Sequence, residues 1–532
     1  MGAKGATDIS FLMGNFQSAG DIAMSKKLFS EEDRKIFGEK GLTEDAVISQ
    51  VNLFKKERQV LKLNRPCTIG DGIVVIPDSK RDQLVGIHDK AAEEGRMIKL
   101  VPASGAASRM FRDWYGYYER ENFDKSEAGA AFVNDLRKYA FYHDLMEVIV
   151  RDGRDLKDLL RKGEYNTILG YILTDKGLNY VHLPKALIRF HTYADHCRTA
   201  LEEHLVEAAF YVRDGTGASG IHFTLSAEHR EEIEDYIKAI RKGYEERYVT
   251  TFNLSLSVQH PSTDTIAVDG ENKPFRDARG QLVFRPGGHG ALLKNLNEIE
   301  SDIIFVKNID NVVPDRMKEK TVLYKKILGG SLLTLQTEIF GYLRILAGEG
   351  ADEKTVEEIA RFSKEKLFTF FPPAFRTFSL DEKSDFLFHR LNRPLRVCGV
   401  VKNVGEPGGG PFWVEGGGGT QSLQIVESAQ VDLESEGQRD LWKSATHFNP
   451  VDLVCGVRDF RGKIFDLEQF VNKDTYLIVE KSMEGRDLKA LEHPGLWNGS
   501  MARWNTVFVE VPITTFNPVK TIDDLLRKEH IS

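Results

Sequence analysis

Residues 282–313 read LVFRPGGHGALLKNLNEIESDIIFVKNIDNVV, and they pass from a β pattern through a glycine loop and a helix to a second β pattern. The run 282–284 is a short strand. Pro286, Gly287, Gly288 and Gly290 then free the backbone, 291–299 has the apolar spacing of a helix, and 302–306 is the next strand. A loop with so little side chain lets backbone amides approach a flat or anionic ligand, and the positive end of the following helix points at the same place. Asp310 falls just past the carboxyl end of its strand, where open α/β sheets hold their ligands, with Asn308 and Asn311 beside it. One carboxylate in that position points to Mg2+.

Upstream, the pattern repeats. Residues 72–76 form a β run, Ser79 is placed to cap a helix over 82–94, and 97–101 is the first strand of an α/β sheet. Directly after it comes VPASGAASRMF, 101–111, whose small residues Ala103, Ser104, Gly105, Ala106 and Ala107 lead through Ser108 to Arg109. A strand followed by such a loop can hold a nucleotide. Residues 112–180 are helical by their apolar stripes, an inserted piece, and the chain then resumes with HLPKALIRFH around Lys185. Thr199 with Glu202 makes a capping box for the next helix. Strands follow at 221–225 and 248–258, the latter ending at Gln259, so the sheet grows in βαβ steps. A second helical excursion covers 315–395. Beyond it lie a glycine-rich stretch, a strand over 422–431 carrying Glu427, a segment with Asn449 and Asp452, and a C-terminal FNPVKTIDDLL that places Lys520 before a short helix.

At 532 residues the chain exceeds what one core supports, since domains run to roughly 100 to 200 residues. The expected division is an N-terminal helical extension over 1–70 and a catalytic region over 71–532. Hydrophobic content of 41% suffices for a core, and the net charge of -8 argues against nucleic acid as a partner. Cys67, Cys197, Cys398 and Cys455 lack metal-ligand spacing, and the N-terminus lacks the pattern of a signal peptide, which points to a reducing cytoplasm. No apolar run reaches the roughly 18 residues of a membrane span, so a soluble protein with no membrane partner is expected. Oligomeric state is not legible.

In order and spacing, these motifs resemble the nucleotidyltransferase superfamily, and in particular the UDP-glucose and UDP-N-acetylhexosamine pyrophosphorylases. The superfamily's Gly-rich loop ending in Ser-Arg or Thr-Arg is similar to 103–110, and its Pro-Lys to Pro184 and Lys185. Its base-holding loop is similar to 286–290, and its Asp-Asn after a strand to Asp310 and Asn311. The stretch whose glutamate meets sugar hydroxyls is similar to 427–430, the Asn-bearing strand to Phe448, Asn449 and Asp452, and the C-terminal Phe-x-Pro-Val-Lys to 516–520. The whole chain also resembles an uncharacterised bacterial family of about this length. One departure is Ala107, which stands where the superfamily has its second glycine and is expected to narrow the room for a triphosphate.

The resemblance implies a three-layer α/β/α core, GT-A-like and Rossmann-like, with a mixed, mainly parallel sheet and helical insertions. It implies a reaction joining a sugar 1-phosphate to a nucleoside triphosphate, UTP favoured, with release of pyrophosphate. The implied roles are catalytic for Arg109, Lys185 and Lys520. Nucleotide binding is implied for Ala103, Ser104, Gly105, Ala106, Ser108, Gln259, Gly287, Gly288, His289 and Gly290. Sugar binding is implied for Asn311, Glu427 and Asn449, and Mg2+ binding for Asp310 and Asp452. Arg109 offers a planar fork for pyrophosphate, the lysines offer point charges, and no general base is needed because the attacking phosphate is already ionised. Two rivals stand beside this. One is a nucleotide-sugar-binding protein without turnover. The other is a GT-A glycosyltransferase, against which Ile309-Asp310-Asn311 replaces an Asp-x-Asp.

Overall fold

The computed structural model describes residues 28–57, 59–348, 350–405 and 408–531, which form two compact units. The smaller unit draws its described residues from 28–57, 261–287 and 478–492. Its two helices are Glu31–Lys40 and Glu44–Leu53. Ser30 and Asp33 exchange side-chain and backbone hydrogen bonds in a capping box, and Thr43 caps Ala46. Asp33 also takes both terminal nitrogens' bonds from Arg276 at 3.0 and 2.7 Å. Ala267, Phe275, Val283, Leu488 and Ala490 make the unit's small core.

This division corrects two expectations. The N-terminal helices are not a separate extension to residue 70, because distant segments complete their unit; what precedes Leu28 lies outside the described residues. The opening stretch 282–313 is also not one βαβ unit. Its first strand is only Phe284–Arg285, paired antiparallel with Thr265–Ile266 in a two-stranded sheet, and the boundary between the two units falls after Gly287, inside the stretch. Its pairing partner, Thr265–Ile266, lies upstream in the same unit, and neither strand belongs to the long sheet.

The larger unit is a three-layer α/β/α body around a ten-stranded sheet. In spatial order its strands are Thr68–Ile69, Gly72–Val74, Asn505–Glu510, Leu395–Lys402, Asp452–Gly456, Ile303–Lys307, Met97–Pro102, Ala218–Leu225 and Thr251–Val258, with His447–Phe448 paired to Leu395–Lys402. Along this path every strand is parallel to the rest except Asp452–Gly456, which runs antiparallel between two neighbours. Alternation along the strands builds two cores. Ile303, Phe305 and Val101 face one, and Ile304, Val306 and Leu100 face the other, as a period of two requires. Helices Asp78–Glu93, Ala200–Tyr211 and Asp315–Leu346 contribute to the first core, and the short helix Leu292–Asn297 to the second.

The helix Asp315–Leu346 is therefore a layer of the fold and not an excursion. It lies against Asp78–Glu93 so closely that a Cβ on Gly330 would stand 2.0 Å from the carbonyl oxygen of Leu84. The following helices, Glu353–Lys366 and Leu380–Leu391, pack on each other. The first inserted piece is helical as expected, from Arg112–Glu119 to Tyr165–Leu173. The glycine-rich stretch yields a strand, Gly410–Glu415, between Lys62–Pro66 and Gln421–Val426 in a three-stranded antiparallel sheet. Among the described residues no helix is long and apolar enough to cross a membrane, and all four cysteines are free thiols.

Candidate functional site

The chain leaves Met97–Pro102 for strands on one side of it and returns with Ile303–Lys307 on the other. That reversal of strand order opens a crevice at the carboxyl ends of these two strands. The loop 103–110 and Asp310 both stand there.

Backbone bonds stitch four distant segments together at this place. Gly105 accepts from the amide of Lys185 at 3.0 Å, Ala107 donates to Leu183 at 3.0 Å, and Ala106 bridges Pro184. The amide of Val519 donates to Asp310 at 3.0 Å, and that of Ile522 to Met110 at 3.2 Å. The amide of Asn517 donates to Oδ1 of Asn311 at 3.0 Å. Side chains then converge. Nζ of Lys185 donates to Oδ2 of Asp310 at 3.1 Å and to the carbonyl of Val519 at 3.0 Å, while Nζ of Lys520 reaches the same Oδ2 at 3.2 Å. Lys185 is nearly buried and Lys520 is half exposed. Burial pushes the Asp310 carboxyl upward, but the two ammonium groups outweigh it and hold the pKa below the usual range.

Several polar atoms here are buried without a hydrogen-bond partner among the described residues. They are Oδ1 of Asp310, Nδ2 of Asn311, Nε2 of Gln259, and the hydroxyls of Thr224 and Ser226 beyond the neighbouring strand. Buried polar atoms are ordinarily bonded, so these are groups with hydrogen-bonding capacity left to use at the strand ends. The loop presents open space as well: a Cβ on Gly105 would meet nothing within 4 Å. Ser104 is part-buried, Ala106 and Ser108 are exposed, and Ala103 is tied by its amide to Thr224 at 2.8 Å. Ala107 packs its methyl into the hydrophobic core. Arg109 is exposed and makes no ion pair or hydrogen bond among the described residues, so the structure does not bring its guanidinium onto the lysine–aspartate cluster.

A second group lies around His289. Gly288 takes a positive φ of 70°, and a Cβ on Gly290 would fall 2.2 Å from the carbonyl oxygen of Pro494, so only glycine fits there. His289 stacks on Trp497 with centroids 4.1 Å apart, and its Nδ1 accepts from the amide of Leu496 at 3.1 Å. Burial lowers its pKa to about 4, so the ring is neutral and its proton sits on Nε2. Nε1 of Trp497 donates to Oε1 of Glu427 at 3.4 Å, and the Glu427 amide bonds Gln430 at 3.0 Å. Trp497 was not legible as a site residue, since its partners come from two remote segments. Gly287, which belongs to the smaller unit, is buried.

Two expected ligands are spent on structure. Asn449 donates to the carbonyl of Gly399 at 2.8 Å and accepts from Val451 at 3.0 Å, so both ends of its amide are used. Asp452 is buried and ion-paired with the buried Lys325. It belongs to an ionic layer within the sheet and its helices, in which Glu207 accepts from Lys99 at 2.8 Å and from Lys307 at 2.7 Å. Burial brings Lys99 down to about 7. A metal role for Asp452 therefore does not fit, while Oδ1 of Asp310 fits one. No cluster of three or more His, Cys, Asp or Glu side chains is set to hold a metal among the described residues. A Mg2+ ion at Asp310 would take its other ligands from phosphates and water, as Mg2+ commonly does.

A family model described as "Domain of unknown function (DUF4301)" matches residues 30–531. The chain belongs to the DUF4301 family. No curated protein sequence matches it. Among solved structures, this DUF4301 chain is similar to the UDP-N-acetylglucosamine pyrophosphorylase of Trypanosoma brucei, with 13% identity, a TM-score of 0.47, and 96% of this chain and 81% of that one covered. It is similar to a T. brucei UDP-glucose phosphorylase at 13% identity and a TM-score of 0.43, covering 96% and 78%. It is also similar to the UDP-glucose pyrophosphorylase of Leishmania major at 14% identity and a TM-score of 0.42, covering 96% and 79%.

Proposed function

We propose that this DUF4301 protein is a sugar-1-phosphate nucleotidyltransferase, with UTP the favoured nucleotide, forming a nucleotide sugar and pyrophosphate. The observation that carries the reading is the convergence of Lys185 and Lys520, from remote segments, on one oxygen of Asp310 at the strand-order reversal. Joining two phosphorylated reactants requires their repulsion to be offset and their geometry to be held, and fixed cations at the mouth of a crevice do both.

Lys185, held at two points, is the fixed charge for the α-phosphate. Lys520, half exposed, is free to leave Asp310 and meet the sugar phosphate. The amides of Ser104, Gly105, Ala106 and Ser108 suit the triphosphate, and the exposed Arg109 is a fork for departing pyrophosphate. Neutral His289, backed by Trp497, offers a flat donor-bearing face for a base, with Gln259 supplying an amide. Asn311, through its unpartnered Nδ2, and Glu427 are the groups for sugar hydroxyls. Mg2+ held at Asp310 would supply charge neutralisation of the phosphates when bound.

The test is pyrophosphate release from UTP and other nucleoside triphosphates with a panel of sugar 1-phosphates and Mg2+. Turnover in the wild type and its loss in Asp310→Ala support the reading. No turnover across the panel, together with calorimetric binding of a UDP-sugar, would replace it with a binding protein lacking catalysis.

A further inference from the structure

A cavity of about 710 Å³ lies in the helical inserted piece, not at the crevice, and none of the proposed transferase groups lines it. Its walls and rim come from Arg112–Glu119, the helix Glu127–Asp135, Tyr139, and the C-terminal residues Asp523 and Leu526. A volume of this size suits a small molecule.

The walls are aromatic and rigidly set. Trp114 meets Phe132 edge-on at 5.2 Å and Tyr139 edge-on at 5.6 Å, and Tyr139 stacks on Phe141 at 5.0 Å. Tyr139 is only 3% exposed, yet its hydroxyl has no hydrogen-bond partner among the described residues. The rim is acidic, with Asp113, Glu119, Asp135 and Asp523 against Arg112 and Arg120. Asp113 has Arg112 at 3.9 Å and Asp135 has Lys138 at 2.5 Å. Among the described residues Asp523 makes no ion pair, and the charged groups that act on it are Asp524, Asp113 and Asp135. With burial first and these acids next, its pKa is raised. Four acids stand against two arginines in this lining, beside an aromatic box with an unused hydroxyl, so the site favours a cation. Aromatic walls suit an organic cation better than a metal ion, which takes oxygen ligands.

We propose that this cavity binds a small organic cation, an amine or guanidinium compound whose charge meets Asp523 and Asp135 and whose body lies against Trp114 and Tyr139. The site is independent of the transferase reading, although it shares a turn with it. Asp524, next to Asp523, accepts from the amides of Lys520 and Thr521 at 2.7 and 2.8 Å.

Calorimetric titration of the full-length protein with tyramine, agmatine and spermidine tests the proposal, with 4-ethylphenol as the uncharged counterpart of tyramine. The expected result is saturable binding of at least one amine and none of 4-ethylphenol. Asp523→Asn should weaken that binding about tenfold, and Tyr139→Phe, which keeps the ring packing, about threefold. Absence of saturable binding by all three amines overturns the proposal. So does equal binding of 4-ethylphenol, or an affinity unchanged in both variants.

Discussion

Nζ of Lys520 stands 3.2 Å from Oδ2 of Asp310, the same oxygen that Lys185 reaches at 3.1 Å. One carboxylate thus holds two ammonium groups in place and still keeps a buried oxygen, Oδ1, without a partner. Asp310→Asn should remove turnover and also cost stability, because Lys185 is left nearly buried with only the carbonyl of Val519. Breaking a buried pair from one side costs roughly 3 kcal/mol. Urea unfolding of the variant checks the second effect, and a difference near zero would show that the pair is not held in solution.

The same carboxylate sets a pH dependence. Its folded-state pKa is depressed, so the unfolded chain binds its proton first as pH falls. The contribution of Asp310 to stability is then fully present above the ordinary aspartate value of about 4, and it is lost as pH falls through the lower folded value. The stability gap between wild type and Asp310→Asn should be flat from about pH 8 to about pH 5 and shrink below about pH 4. A gap that shrinks instead between neutral and alkaline pH would contradict the assignment.

Two glycines separate ligand contact from folding. Gly105→Ala meets open space at an ordinary φ, so its stability should stay within about 0.5 kcal/mol of wild type, while UTP binding weakens if the loop amides hold phosphate. Gly290→Ala places a methyl 2.2 Å from a backbone oxygen and should cost roughly 3 kcal/mol or displace His289. Thermal unfolding alongside calorimetry with UTP distinguishes the two. Equal stability loss in both variants would be inconsistent with the open space found at Gly105.

Asp452→Asn is the counterpart of Asp310→Asn. With Lys325 left buried and unpaired, stability should fall by roughly 3 kcal/mol. The Mg2+ dependence of any pyrophosphate release should not change. A shift in the Mg2+ requirement would return Asp452 to the metal site.

Some of this protein was legible before folding was considered. The capping box at Thr199, the strands expected over 97–101 and 302–306 and found as Met97–Pro102 and Ile303–Lys307, and the glycine spacing around His289 are local, because propensity, capping and period depend on residues a few positions apart. The convergence of Lys185, Asp310 and Lys520 was likewise expected, from motif order.

The sequence by itself determined the α/β class, the loops able to meet phosphate, and the candidate cations and acids. Only tertiary structure decided which candidates remain available. Asp310 and Asp452 both stand at an end of a strand, but packing brings a buried lysine from the helix Asp315–Leu346 onto one and leaves an oxygen of the other open. Packing likewise gives Phe284–Arg285 to a hairpin, inserts Asp452–Gly456 antiparallel in the sheet, and sets Trp497 against His289. Strand pairing and charge pairing are contests among distant partners, and local pattern carries no record of which partner arrives.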